Sequence, residues 1–308
     1  MKKNYAMLVL TAMIWGFAFV AQSEGGNAIG PFSFSVTRFL LAALALIPVI
    51  FFMDRRGLSG QKPQNKKEWA SLLLTGSLCG ALVSGATILQ QLGLYAGVPV
   101  GKVGFLTACY IVLVPIIGLF LGKKCTWNVW VAVALTVAGL YFLCLTETLS
   151  FQKSDMIVLS CSLLCAFHII AVERFGERFD PVRLSCVQFF AAFVVALFPC
   201  IFGEIRNMEG GIGSWFALYA NRQAWIAILY AGIMSSAVGY TLQILGQRGT
   251  NPTIASLLMS LESVFSVLAG WLLLQQKLGM REMLGCVLIF VAVVLAQIKN
   301  FNFFHKIR

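Results

Sequence analysis

TIASLLMSLESVFSVLAGWLLL, residues 253–274, decides the fold of this chain. Its 22 residues carry one formal charge, Glu262, close to the middle. At 1.5 Å per residue a helix of this length reaches ~33 Å, enough to cross a hydrocarbon core of about 30 Å. A carboxylate at that depth costs roughly 3 kcal/mol on insertion scales, so an acid kept there by default marks a functional position.

The rest of the chain has the same character. Of its 308 residues 59% are hydrophobic and 11% charged, with mean hydropathy +0.85. A soluble domain is about one quarter charged. Ten apolar spans follow one another, at about 5–22, 32–53, 69–94, 100–121, 127–145, 155–172, 182–202, 224–246, 253–274 and 281–298. The expected fold class is therefore an all-α integral membrane protein with ten transmembrane helices. The start, MKKNYAMLVLTAMIWGFAFVAQS, imitates a secretory signal, but we read it as the first span, which the Glu24, Gly25, Gly26, Asn27 cluster is expected to end.

The net charge of +11 does not point to nucleic acid, because the basic residues sit in short loops between spans. With the N-terminus inside, sixteen fall on the cytoplasmic side: Lys2, Lys3, Arg55, Arg56, Lys62, Lys66, Lys67, Lys123, Lys124, Arg174, Arg178, Arg183, Arg248, Lys299, Lys306 and Arg308. Six fall outside: Lys102, Lys153, Arg206, Arg222, Lys277 and Arg281. The bias places both termini in the cytoplasm and the protein in the cytoplasmic membrane. The nine Cys have no metal or redox spacing, and Cys161 and Cys165, one turn apart, are read as small packing residues.

Shifting the sequence by 153 residues without gaps aligns Ala86 with Gly239, Gln90 with Gln243, Gly93 with Gly246, Pro99 with Pro252, Thr107 with Ser260, Lys124 with Lys277 and Ala132 with Gly285. The chain thus divides into a repeat at 1–146 and a second at 147–308, five spans each. Five is odd, so the second copy enters the membrane from the opposite side. Inverted repeats of this kind belong to secondary transporters, with the substrate site near the midplane between the halves.

TAMIWGFAFV (11–20), TRFLLAALAL (37–46), FLTACYIVLVPIIGLFLGKKCTWNVWVAVALTVAG (105–139) and LLMSLESVFSVLAGWLLLQQKLGMREMLGCVLIFVAV (257–293) resemble the drug/metabolite transporter superfamily, in its EamA-type branch of two five-helix repeats. The resemblance covers essentially the whole chain. It implies export of amino acids, related metabolites or drugs, or carriage of nucleotide sugars and phosphorylated sugars. The family commonly has a proline where this chain has Ser263 or Val264.

Candidate substrate-binding residues follow from polarity at depth. Arg38, about six residues into its span, offers a planar fork to a carboxylate or phosphate; its other reading is snorkelling to the outer interface. Lys102 begins the fourth span, where it either lines a cavity or snorkels. The stripe Gly104, Ala108, Gly118 and Gly122 on the opposite face is read as close helix contact. Gln90 and Gln243 are repeat equivalents, the latter near Tyr240, Ser235 and Ser236, and they either hold a polar substrate or bond helix to helix. Trp15 and Tyr110 are deep enough to form cavity walls, and Tyr230 is a third aromatic candidate. Glu262 flanks the small-residue seam Ser256, Ser260, Ser263, Ser266 and Gly270, and its repeat counterpart is Cys109. Glu262 and His168 are the candidates for proton coupling, their other readings being a buried hydrogen-bond anchor and a neutral imidazole bonded to a backbone or hydroxyl group.

No HExxH, GxSxG or P-loop occurs, so neither enzyme chemistry nor a cofactor or metal is expected, and ATP-driven transport would need a separate subunit. The reading is an alternating-access exporter of small polar metabolites such as amino acids, with proton or counter-substrate coupling, in the lipid bilayer. A zwitterion would set its ammonium on Glu262 and its carboxylate on Arg38 or Lys102. Organic cations or drugs are the runner-up substrates, and sugar phosphates or nucleotide sugars come third. A polytopic enzyme or a scaffold is the rival class.

Overall fold

The computed structural model of the chain describes residues 2–98, 100–123, 125–144, 152–274 and 279–297. Pro99, Lys124, Lys277, Lys299, Lys306 and Arg308 lie outside the described residues. Ten helical rods are described: α1 (Lys2–Ile29), α2 (Pro31–Arg55), α3 (Lys66–Tyr95), α4 (Val100–Ala108 and Tyr110–Phe120), α5 (Trp127–Cys144), α6 (Lys153–Phe175), α7 (Pro181–Pro199), α8 (Arg222–Leu229, Tyr230–Tyr240 and Thr241–Gln247), α9 (Pro252–Met259 and Leu261–Leu274) and α10 (Met280–Gln297). A short helix, Gly211–Leu218, lies in the connection before α8. Seven of the described helices are long and apolar enough to cross a bilayer, and Trp127–Leu143 is a shorter apolar one. The protein is a multi-pass membrane protein, and large apolar side chains such as Phe51, Phe198, Ile226 and Phe290 face outward from the bundle.

Local chemistry starts the helices where the sequence changes character. Pro31, Pro181 and Pro252 occupy first-turn positions, where a missing N–H costs nothing. Asp180 and Asn251 cap the helices that follow them by accepting backbone N–H bonds. α2 takes its cap from the other half of the chain. The Glu204 carboxylate, just beyond α7, accepts from Phe32 N at 2.7 Å, from Ser33 N at 2.9 Å and from the Ser33 hydroxyl. α1 runs past the expected stop near residue 22 to Ile29, and Gly30 at φ 89° ends it. Gly25 is there for contact and not for termination: a Cβ on it would press on the Phe34 ring and lie 2.8 Å from Ala227 Cβ.

The most extensive packing joins α5 to α10, α3 to α7, α2 to α7, α3 to α6 and α1 to α9, with α2 and α1 also on α8 and α4 on α6 and α9. Each of these pairs takes one helix from each half. Exchanging every helix for the one five places away maps the set onto itself: α3–α7 becomes α8–α2, α3–α6 becomes α8–α1, and α4–α6 becomes α9–α1. Two repeats related in this way form one body, with their shared surface as its core.

Small residues make the approaches possible, since helices in lipid gain by close van der Waals contact and not by burial from water. A Cβ on Gly285 of α10 would sit 2.6 Å from Gly139 O of α5. A Cβ on Gly16 of α1 would sit 2.5 Å from Phe265 Cβ and 2.7 Å from Glu262 O. Overpacking costs about 1–3 kcal/mol. Gly16→Leu therefore lowers the thermal unfolding temperature in detergent by several degrees, because it forces α1 off the turn of α9 that carries Glu262. The stripe on α4 behaves otherwise. Among the described residues, added Cβ atoms at Gly104 and Gly122 meet nothing within 4 Å, and one at Gly118 meets only Lys123 Cβ at 3.8 Å. Close approach is made instead at Gly16 of α1, Gly80 and Gly93 of α3, Gly139 of α5 and Gly285 of α10.

Three rods depart from regular geometry near the middle of the bundle. α4 is interrupted at Cys109 and α9 at Ser260, each by a tight bond three residues apart, Val112 N to Cys109 O at 3.0 Å and Ser263 N to Ser260 O at 3.1 Å. These are equivalent helices of the two repeats. α9 breaks at Ser260, whose hydroxyl bonds back to Leu257 O at 2.7 Å and competes for backbone bonding. α8 widens into a π-helix over Tyr230–Tyr240, a geometry that recurs at functional sites because it leaves carbonyls for outside donors.

Candidate functional site

The irregular segments of α4, α8 and α9 surround one cavity between the halves, completed by α1, α2, α3 and α6. The space inside it is about 70 Å³, room for roughly five waters at 10–15 Å³ each. Trp15, Arg38, Gln90, Tyr110, His168, Tyr240, Gln243 and Glu262 all line it.

Glu262 stands in the first turn of the second segment of α9, where the positive end of a half-helix favours a carboxylate. It is 5% exposed and accepts one long hydrogen bond, from Tyr110 Oη at 3.4 Å. Among the described residues it has no ion pair.

Arg38 is 3% exposed and does not snorkel. Its Nη1 donates to Gln22 Oε1 at 3.0 Å, its Nε to Ser236 Oγ at 3.2 Å, and its Nη2 to Ser235 Oγ and Ser236 Oγ at 3.2 and 3.1 Å. Every one of these acceptors is neutral. The guanidinium is thus fixed between α1 and α8 with no carboxylate beside it among the described residues. The π-helix does part of the positioning: Ser235 O is left to accept Trp15 Nε1 at 3.0 Å, and Gly239 O to accept the Thr11 hydroxyl at 3.3 Å.

The remaining polar groups form an aromatic and amide lining. The Trp15 and Tyr240 rings lie 4.7 Å apart, and Tyr240 meets His168 and Phe189 edge-on. His168 Nε2 lies 3.0 Å from Gln188 Oε1. Gln90 Nε2 donates to Thr107 Oγ1 at 3.2 Å. Among the described residues Gln243 Oε1 is buried without a hydrogen-bond partner, a costly condition that a ligand donor would relieve. Cys165 also faces the cavity, with its Sγ 3.8 Å from that of Cys161.

Two expectations change. Lys102 is not at the cavity: its Nζ reaches Asp155 Oδ2 at 2.6 Å, and that carboxylate is 1% exposed and also accepts Gln152 N. The pair ties the start of α4 to the start of α6. Stranding a buried charge costs about 3–5 kcal/mol. Lys102→Met consequently lowers the unfolding temperature, and Lys102→Met with Asp155→Asn recovers much of it, while substrate KM stays unchanged in both. Tyr230 likewise stands outside the lining and donates to Ile14 O at 3.0 Å. Gln22 was missed because it sits at the expected end of the first span, and Thr87 and Phe19 because nothing in an apolar helix marks which face turns inward.

A two-repeat membrane bundle with discontinuous helices around a charged cavity at the shared surface defines the transporter class. The chain belongs to the EamA-like transporter family, of the drug/metabolite transporter superfamily, whose profile matches twice, at residues 2–145 and 152–297. An uncharacterized transporter of Archaeoglobus fulgidus is 26% identical over 97% of this chain and 87% of its own length. The uncharacterized transporter YoaV of Bacillus subtilis is 25% identical, covering 92% of each chain. A Streptantibioticus cattleyicolor protein named "Probable terminal-alkyne amino-acid exporter" is 24% identical over 76% of this chain and 72% of its own. A solved crystal structure superimposes with a TM-score of 0.74 over 96% of this chain and 95% of that one, at 15% identity, and shares the fold. The protein is a transporter.

Proposed function

We propose that the protein is a secondary transporter that works by alternating access and exports small polar metabolites, amino acids foremost, across the cytoplasmic membrane. One observation carries the reading. A single cavity between the halves holds a buried carboxylate, Glu262, and a buried guanidinium, Arg38, neither of them ion-paired among the described residues. Unpaired buried charges of opposite sign are costly alone and are met together by a zwitterion. The ammonium then lies on Glu262 against Trp15, Tyr110 and Tyr240, and the carboxylate lies on the Arg38 fork. The amino-acid exporter among the relatives supports the same substrate class.

Alternating access accounts for the small volume of the cavity: the state described is narrow, and rocking of one half on the other opens it to each side in turn. The basic bias of the loops sets both termini in the cytoplasm. Drive comes from a proton or a counter-substrate, with Glu262 as the carrier and His168 in reserve. A second reading, organic cations, rests on Glu262 amid aromatics and leaves Arg38 idle.

Counterflow into liposomes separates the two. Protein-dependent exchange of labelled neutral amino acids, competed by other zwitterions and not by tetraalkylammonium ions, is the expected result. Exchange of the cations alone would transfer the assignment to the second reading.

A further inference from the structure

On the rim that carries the basic loops, a groove of about 530 Å³ opens between α3, α4 and α6. It is separate from the cavity between the halves. Its walls are Leu78 and Leu82 of α3, Ile117 and Leu121 at the end of α4, and Phe167 and Ile170 of α6. Leu78, Leu121 and Phe167 are exposed on the outside of the bundle. In a bilayer such a groove is filled by hydrocarbon and not by water.

The mouth of the groove is cationic. Arg174 and Arg178, one helical turn apart, line it, and each stacks its guanidinium on the Phe175 ring, at 5.9 and 5.8 Å. The nearby acids are engaged elsewhere. Glu173 pairs with Lys123, and Glu177 accepts Gly249 N at 2.6 Å, both around a different recess. Among the described residues neither arginine has a carboxylate partner. Two exposed guanidinium forks above an apolar slot match a ligand with a phosphate at one end and a long hydrocarbon at the other.

We infer that this groove is a binding site for one anionic phospholipid of the adjacent leaflet, its phosphate on Arg174 and Arg178 and an acyl chain between α3, α4 and α6. Basic pockets between helices on the cytoplasmic side favour acidic headgroups, each cation near the surface contributing a several-fold preference. A zwitterionic lipid carries its own ammonium to the same mouth and is disfavoured there.

Native mass spectrometry of the protein released from nanodiscs of equimolar phosphatidylglycerol and phosphatidylcholine reads the site. The wild-type chain retains one phosphatidylglycerol about tenfold over phosphatidylcholine, and the double change R174Q/R178Q brings the ratio to near parity. Arg55→Gln with Arg56→Gln, basic residues of the same rim away from the groove, leaves the ratio as it was. Leu78→Trp, which fills the slot from its lipid side, removes the retained lipid while preserving the unfolding temperature. R174K/R178K, which keeps the charge if the glutamine variant does not fold, retains the preference in weaker form. A wild-type ratio near one, an unchanged ratio in R174Q/R178Q, or displacement of the lipid by glycerol phosphate alone would each overturn the assignment.

Discussion

Arg38→Gln raises the apparent KM for a neutral amino acid at least about thirtyfold in liposome counterflow and leaves any flux of organic cations as it was. Removing one partner of a buried, hydrogen-bonded charge pair costs about 2–5 kcal/mol, and the thirtyfold figure is the low end of that range. The effect belongs to the loaded state. In the empty protein the guanidinium has only neutral acceptors, Gln22, Ser235 and Ser236, so its removal strands no opposite charge. Thermal stability without substrate accordingly stays level or rises, in contrast to the loss expected when Lys102 is removed from Asp155. Arg38→Lys keeps the charge as a point on a flexible stem and loses the planar fork, which leaves an intermediate KM. Unchanged amino-acid exchange in Arg38→Gln would take the guanidinium out of the substrate site.

Glu262→Gln is expected to raise the apparent KM of exchange as Arg38→Gln does, because the substrate's ammonium loses its carboxylate, and at saturating substrate to reduce flux driven by a proton gradient by at least about tenfold while exchange of substrate for substrate persists. The amide keeps the shape of the side chain and a hydrogen bond with Tyr110 but cannot exchange a proton. If the carboxylate serves only the substrate's ammonium, KM rises in both assays and their rates at saturating substrate keep step. The variant stays folded, since an unpaired charge at 5% exposure is replaced by a neutral group. Retention of the KM, the gradient-driven rate and the exchange rate would leave Glu262 as a hydrogen-bond anchor on α9.

Much of this site was legible in the chain, for one physical reason. Polar groups deep in an apolar span are costly, so Arg38, Gln90, Gln243, His168 and Glu262 stand out without any knowledge of packing. All five line the cavity. The same logic misplaced Lys102, because it weighed the lysine alone and not the acid on another helix, Asp155, that holds it. It also passed over Gln22, whose side chain owes its place to α1 continuing to Ile29. Glycine carried two meanings that composition does not separate: at Gly30 it supplies a positive φ, whereas at Gly16 and Gly25 it admits a neighbouring helix.

The sequence by itself determined that the chain lives in a bilayer, that its two halves resemble one another, and which ionisable groups are out of place in lipid. Hydropathy and self-similarity are properties of the chain read along its length, and a charge placed in an apolar span has a direct cost in free energy. The tertiary structure decided which of those groups share a space, that Arg38 is held by α1 and α8 and not drawn to the interface, and that α4, α8 and α9 lose regular geometry around the cavity. Those outcomes depend on crossing angles and on close approaches between helices far apart in the chain. Helices apolar on nearly every face carry no periodic signal to announce them.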